Sequence, residues 1–240
     1  MGIGDDYQQQ TKYDRDSIAG GLRWDDREGP YKFYENPLDR IELPAPDTGS
    51  GACLWDVLAR RRSVRRFSGR EMSLAHLSQL LWSANGITAR TRGAEFRTSP
   101  SAGALYPVET YLAANRVEDL EPGIYHHDVF NRRLDFLREG YFGRDVAQAA
   151  LGQMMCDRAA VSFIWTCIPA RSKWKYRERA YRYIYLDAGH LGENLHLAAC
   201  AIGHGCCMIG AFFDSELNEL LDVDGQSETA IYLAAAGPVD

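Results

Sequence analysis

Ser99-Pro100-Ser101-Ala102-Gly103-Ala104-Leu105-Tyr106-Pro107 leads directly into Val108-Glu109-Thr110-Tyr111-Leu112-Ala113-Ala114. Small residues around a glycine, bracketed by two prolines, make a rigid turn whose backbone can approach a flat ligand closely. The segment that follows is apolar enough for a central strand. On composition alone, the same nine residues also suit an ordinary loop before that strand.

Outward from this turn the chain carries signals for both helices and strands. Upstream, Leu54–Arg61 reads as a first helix. Ser73 can cap a second, whose apolar stripe is Leu74, Leu77, Leu80, Leu81 and Ala84. Met72 and Leu77 occupy hydrophobic-staple positions, and Gly86 suits the exit. Downstream, Gly123–His127 and Arg133–Leu137 flank a turn containing Asn131 and predict a hairpin. Ala160–Cys167 reads as a second buried strand, rich in β-branched and aromatic residues. A long helix is predicted from Arg179 to Ile202, with Ile184, Ala188, Leu191, Leu195, Ala198 and Ile202 on one face. Tyr181, Tyr185, Leu197 and Ala201 lie off that face, as suits a helix covered on more than one side. A short helix at Ser215–Leu221 and a strand at Ala230–Ala236 follow. The order of elements predicts an α+β fold. Residues 1–50, rich in Asp, Gly, Pro and Tyr, read as an irregular N-terminal arm, and 51–240 as the folded domain.

Bulk properties narrow the function classes. The 240-residue chain is 45% hydrophobic and 25% charged, as a globular core requires. A net charge of −6 disfavours nonspecific binding to nucleic acid or an anionic membrane. No basic flank precedes an apolar run at the N-terminus, and no stretch approaches the about 20 apolar residues that span a bilayer. A cytoplasmic location is the resulting expectation. Cys53, Cys156, Cys167, Cys200, Cys206 and Cys207 form no C-x-x-C pair, so free thiols are expected rather than a zinc site. The vicinal Cys206–Cys207 reads as packed small residues more readily than as a redox pair.

Two further stretches carry chemistry. Arg60-Arg61-Arg62-Ser63-Val64-Arg65-Arg66-Phe67 places guanidinium forks and a hydroxyl at a density that can hold a phosphate; the alternative is a solvated basic segment. Gly203-His204-Gly205-Cys206-Cys207-Met208-Ile209-Gly210-Ala211 reads as a glycine-bearing loop after the long helix, able to offer backbone N–H groups to a ring edge. A loop that simply ends the helix is the alternative.

In this order and spacing, the three stretches resemble the nitroreductase superfamily. The resemblance implies an FMN-binding fold with a central mixed or antiparallel sheet flanked by helices, intertwined as a homodimer. It assigns Arg61, Arg62, Ser63 and Arg65 to the FMN phosphate and ribityl chain. Pro100, Ser101, Ala102 and Gly103 would lie against the flavin, one subunit helping to bind the other's cofactor, and the Met208, Ile209, Gly210 backbone would face flavin N5. P-S-A-G-A-L-Y-P, G-I-Y-H-H, K-Y-x-x-R-A-Y-R-Y and D-A-G-H, in that order, resemble one branch more closely: the SagB-type, ThcOx-like or McbC-like azoline dehydrogenases. The arm segment Thr11-Lys12-Tyr13-Asp14-Arg15 resembles the leader of that branch.

The branch resemblance assigns a catalytic role near the flavin to Lys175 and Tyr176. Aromatising a thiazoline or oxazoline removes one carbon-bound proton and one hydride, so a base is needed beside the hydride acceptor. Lys and Tyr are poor bases at reference pKa values near about 10, but desolvation lowers that of Lys and a neighbouring cation lowers that of Tyr. Which of the two acts stays open, and on spacing alone Lys173 to Arg182 is a charged helix start. The implied function is FMN-dependent oxidation of azoline rings in a modified peptide, with a cyclodehydratase-type partner. An NAD(P)H-dependent nitro- or quinone reductase and a non-catalytic flavin-binding scaffold are the alternatives.

Other features carry less. His190, Glu193 and His196 spread over about 120° of a helix, unlike a tight i, i+4 metal pair, so no metal is expected. His126-His127 suits strand packing or edge solubility. Two departures from the resemblance stand out: Glu193 replaces a common Gln on a supposedly buried helix, and no basic pair follows the last strand. Phosphate neutralisation would fall more heavily on Arg61 and Arg65, making FMN binding weaker or more salt-sensitive.

Overall fold

The structure is a computed structural model that describes residues 2–13, 22–49, 51–92 and 94–240. In chain order its helices are α1 (Ile3–Gln10), α2 (Leu54–Arg60), α3 (Leu74–Asn85), α4 (Gly143–Ala149), α5 (Met155–Arg158), α6 (Ala170–Tyr176), α7 (Ala180–Ala201) and α8 (Asp214–Leu221). Its strands are β1 (Asp39–Glu42), β2 (Ile87–Thr91), β3 (Ala94–Arg97), β4 (Val108–Ala114), β5 (Gly123–Asp128), β6 (Arg133–Glu139), β7 (Val161–Cys167), β8 (His204–Ile209) and β9 (Thr229–Pro238).

Seven strands form an antiparallel sheet in the order β1-β6-β5-β4-β7-β9-β8. β4 and β7 lie at its centre and are buried along their whole length. Side chains alternate across a strand, so a central strand covered on both faces needs apolar residues on both. β7 meets that demand: Phe163 and Trp165 join one core with Leu77, Leu80, Leu191 and Leu195, under α3 and α7. Ile164 points the other way, into a core with Val146, Cys156 and Leu217 under α4, α5 and α8. The result is a three-layer α+β architecture, as the sequence predicts.

The elements read from periodicity recur within a residue or two. Ser73 caps α3 by accepting the His76 N–H at 3.2 Å, and the Gly86 N–H closes the helix on the Trp82 carbonyl at 2.7 Å. The arm is more ordered than its composition suggests. α1 is held at its C-terminal end, where Arg182 donates to the Gln8 carbonyl at 2.6 Å and Arg179 to that of Thr11 at 2.6 Å. β1 pairs with β6 at the sheet edge. The irregular reading is corrected for both segments: partners far along the chain order them, and local composition does not carry that. Asp14 and Arg15 of the arm motif lie outside the described residues. β2, β3, α4 and α5 also escape periodicity, being short or polar.

Leu195 is fully buried in the core beneath α7. Leu195→Ala is expected to lower stability by about 2–5 kcal/mol, read as a shift in urea midpoint at unchanged m-value.

Candidate functional site

The Pro100–Gly103 turn is built around a buried carboxylate on α7. Ser101 Oγ donates to Asp187 Oδ2 at 2.6 Å, and the Ala102 N–H donates to Asp187 Oδ1 at 3.2 Å. Ser101 Oγ also accepts the Tyr106 N–H at 2.9 Å, tying the turn to the start of β4. Asn194, seven residues along α7, donates to Ser99 Oγ at 3.0 Å. These bonds hold a backbone that would otherwise be unfavourable: Gly103, Ala104 and Tyr106 have φ of 67°, 53° and 47°. Burial pushes the Asp187 carboxyl above its ordinary range, opposed by the bonds from Ser101 and Ala102.

Lys175 and Tyr176 end α6, and the fold brings them to the same turn. A Cβ on Gly103 would lie 2.7 Å from both Lys175 Nζ and Tyr176 Oη. Glycine is required there twice over, for its left-handed φ and for the approach of the two side chains. Beneath them, the buried Arg171 anchors α6 on the sheet through Glu109 and the Tyr106 carbonyl, the latter at 3.2 Å. Glu109 also pairs with His126 Nε2 at 2.8 Å. Burial would raise the Glu109 pKa, but the Arg171 charge and the His126 hydrogen bond outweigh it and bring it to about 2. His126 and His127 are buried within the sheet, which supports the packing reading over edge solubility.

The basic stretch lies elsewhere in the chain, along the outer edge of β8. Ser63 bridges Cys206, and the Val64 N–H donates to the Cys206 carbonyl at 2.9 Å. His196 of α7 donates through Nε2 to the Arg62 carbonyl at 3.0 Å. Arg62 and Arg65 are exposed and, among the described residues, donate only to backbone carbonyls. Among the described residues, no carboxylate lies within 4.0 Å of Arg61, Arg62 or Arg65. Met208 and Ile209 adjoin the same region, but as the end of strand β8 rather than as a loop; Gly210 follows, exposed. The glycines at 203 and 205 obscured that strand in the sequence. Its pairing with β9 makes it. α7 lies close against it, since a Cβ on Gly192 would fall 2.8 Å from Met208 Cε.

The two clusters occupy opposite flanks of α7. At about 100° per residue, Asp187 and Asn194 share one flank, while Gly192 and His196 share the other, about 140–180° away. Between the flanks runs an exposed stripe that includes Leu186, Gly189, His190 and Glu193. The carboxylate at Glu193 therefore lies at the surface of this chain. His190 and Glu193 are exposed whereas His196 is buried, and no metal-holding cluster occurs among the described residues. The buried thiols of Cys156, Cys206 and Cys207 have raised pKa values caused by desolvation, which favours packing over redox chemistry. No helix among the described residues is long and apolar enough to cross a membrane.

Arg171 and Glu109 were not singled out from the sequence, and Asp187 entered only as the first residue of the D-A-G-H segment, without a role of its own. For Asp187 a signal exists: with Asn194 it forms a polar pair seven residues apart on an otherwise largely apolar helix. A lone Glu in an apolar strand and an Arg in a basic segment offer no comparable signal.

The nitroreductase family profile matches residues 58–237. A Methanocaldococcus jannaschii protein named as a nitroreductase is 35% identical over 185 residues, covering 77% of this chain and 91% of that protein. The trifolitoxin operon protein TfxC of Rhizobium leguminosarum is 27% identical, with 95% of this chain and 68% of TfxC covered. The microcin B17-processing protein McbC of Escherichia coli is 24% identical, with 71% and 64% covered. A solved nitroreductase-like structure from Anabaena variabilis superposes with a TM-score of 0.81 at 30% identity. That match covers 98% of this chain but 46% of the other, so this chain spans about half its length. A chain of the E. coli microcin synthetase McbBCD complex with truncated pro-MccB17 shares the fold, with a TM-score of 0.64 at 19% identity and 99% and 92% covered.

The depressed pKa of Glu109 makes a prediction for acid stability. A carboxylate whose folded pKa lies below its unfolded value contributes stability above the unfolded pKa and loses it as pH falls through the folded one. Wild type should therefore lose stability between pH 4.5 and about 2. Glu109→Gln should be less stable at neutral pH, with Arg171 unpaired, and show a flatter acid limb in urea midpoints measured against pH.

Proposed function

The chain belongs to the nitroreductase family, and from that premise we propose that it is an FMN-dependent oxidoreductase that aromatises azoline rings in a modified peptide. The observation that carries this reading is the convergence of Lys175 Nζ and Tyr176 Oη on the side-chain-free Gly103. The turn thereby gathers two ionisable groups against a backbone that carries no side chain.

The residues present fit FMN on two counts. Arg62 and Arg65, with Ser63 between them, are exposed and without carboxylate partners among the described residues, as a phosphate site requires. The ends of Lys175 and Tyr176 occupy the space that a Cβ at Gly103 would need, so both reach that backbone, and a Cβ at Gly210 would meet nothing within 4 Å, leaving room for a ring there. Arg61, Arg62, Ser63 and Arg65 would hold the phosphate and ribityl chain, Pro100, Ser101, Ala102 and Gly103 the ring face, and Met208, Ile209 and Gly210 the ring edge. When bound, FMN supplies a two-electron hydride acceptor. Lys175 and Tyr176 supply the base that takes the carbon-bound proton of the azoline, and Asp187 keeps the turn in place beneath them.

The same reading makes the protein a homodimer. In one chain the two clusters face away from each other across α7, and Tyr185 and Leu186 on that helix are 56% and 60% exposed. A second copy packed on the stripe would bury these residues and set the Gly103 turn of one copy toward the Arg61–Arg65 segment of the other. McbC and the McbBCD complex with truncated pro-MccB17 support a peptide substrate. An azoline arises by dehydrating a Ser, Thr or Cys side chain onto the backbone, so a cyclodehydratase-type partner must supply it. The name of the M. jannaschii relative favours nitro reduction as the second reading.

Incubating the flavin-loaded protein with an azoline-bearing peptide in air should give a mass loss of two hydrogens. Bound flavin without that loss would overturn the reading in favour of a scaffold or a reductase. Lys175→Ala with Tyr176→Ala should lower azoline oxidation by at least about a hundredfold while NAD(P)H-driven nitro reduction survives. Gly103→Ala should reduce azoline oxidation far more than it reduces urea stability, because its Cβ displaces flexible side-chain ends while the left-handed backbone costs about 1–2 kcal/mol.

A further inference from the structure

Beyond the reacting position, a cleft of about 500 Å³ opens at Gly103 and Lys175. Its walls are aromatic: Trp24 and Tyr31 from the arm, Tyr106 from the turn, Phe130 from the β5–β6 connection, and Trp174 from α6. Trp24 packs on Trp174 with ring centroids 5.1 Å apart, and Tyr31 meets Phe130 edge-on at 5.2 Å. The arm is held there by backbone contacts: the Arg23 N–H donates to the Trp174 carbonyl at 3.2 Å, and Arg97 donates to the Pro30 carbonyl at 3.0 Å. Even so, Trp24 is 60% exposed and Phe130 43%. Glu95 also lines the cleft: Oε1 pairs with Arg90 at 2.7 Å, while the buried Oε2 has no hydrogen-bond partner among the described residues.

We propose that this cleft is a specificity subsite for the substrate peptide, taking the aromatic side chain of a residue next to the ring being oxidised. The proposal rests on the azoline-oxidase reading above. Gly103 and Lys175 belong to both the reacting position and the cleft, so a residue adjacent to the ring falls within reach of it. The volume accommodates one large aromatic side chain with its backbone. Face and edge contacts with Trp24, Phe130 and Trp174 favour a planar ring over an aliphatic one. Arg27 and Lys175 stand against Glu95 among the lining side chains, and Glu95 is itself paired with Arg90, so the walls select by ring contact rather than by charge.

The test uses the flavin-loaded protein and two azoline peptides that differ only in carrying Phe or Gly beside the ring. Wild type should prefer the Phe peptide by about tenfold in kcat/KM. Trp24→Ala and, separately, Phe130→Leu should reduce that ratio to about two or less, with thermal unfolding confirming that each variant folds. A parallel binding titration with the corresponding azole peptides, which cannot react, separates this proposal from the one beneath it. Preferential binding of the Phe azole without any azoline turnover keeps the subsite and overturns the azoline-oxidase reading. Turnover of both azolines at equal kcat/KM overturns the subsite and leaves the oxidase reading standing. If the two substitutions raise KM for NAD(P)H and leave the peptide ratio unchanged, the cleft is a nicotinamide site and the proposal falls.

Discussion

The angular setting of α7 is the constraint on which the rest of the structure depends. The helix carries Leu191 and Leu195 into the core, and the same rotation places Asp187 under the Ser101–Ala102 turn and His196 under the Arg62 carbonyl. A shift by one residue, about 100°, would drive the Asp187 carboxylate out of its hydrogen bonds and expose Leu195. Apolar packing alone tolerates small slippage. Directional bonds to buried polar groups on two flanks do not. One helix thus positions both clusters and leaves between them a stripe that this chain does not cover.

A second fixed point is the charge buried behind α6. Glu109, Arg171 and Arg97 are each less than 10% exposed, and Arg97 packs on Tyr106 at 4.3 Å. Burial lowers the Arg97 pKa to about 10, opposed by the Glu109 charge. Well-packed apolar residues would often be at least as stable in such a place. What the ions add is direction: Arg171 joins the Tyr106 carbonyl, the Glu109 carboxylate and α6 at one point. Lys175 and Tyr176 are one turn further along that helix, so the network locates their backbone relative to Gly103.

The sequence was legible wherever one residue's role was repeated by its neighbours. The α3 stripe with its Ser73 cap, the apolar runs of β4 and β7, and the four-and-three spacing in α7 each carry the same message several times. β8 was not legible, because its strand character comes from β9 and two glycines interrupt its pattern. The arm was misread for a related reason: α1 and β1 are ordered by Arg179, Arg182 and β6, all distant in sequence. In the candidate site, the segments were legible through resemblance, but the hydrogen bonds that fix their geometry were not. Asp187 and Glu109 act through partners 85 and 62 residues away, a kind of information that local pattern does not contain.

This division between rigid and loosely held parts has a functional logic. The turn at Gly103 is tied to α7 and β4 by buried bonds, so its geometry resists local opening. Trp24 and α1 are held differently: no residue of α1 is buried, and its attachment is a few hydrogen bonds to exposed or half-exposed arginines. In the proposed reaction, proton removal tolerates little misplacement of the base, whereas a wall that receives a substrate side chain gains from yielding. A rigid helix therefore carries the groups proposed for the reacting position. The arm, which contributes little to the core, carries the surface that can adapt without disturbing them.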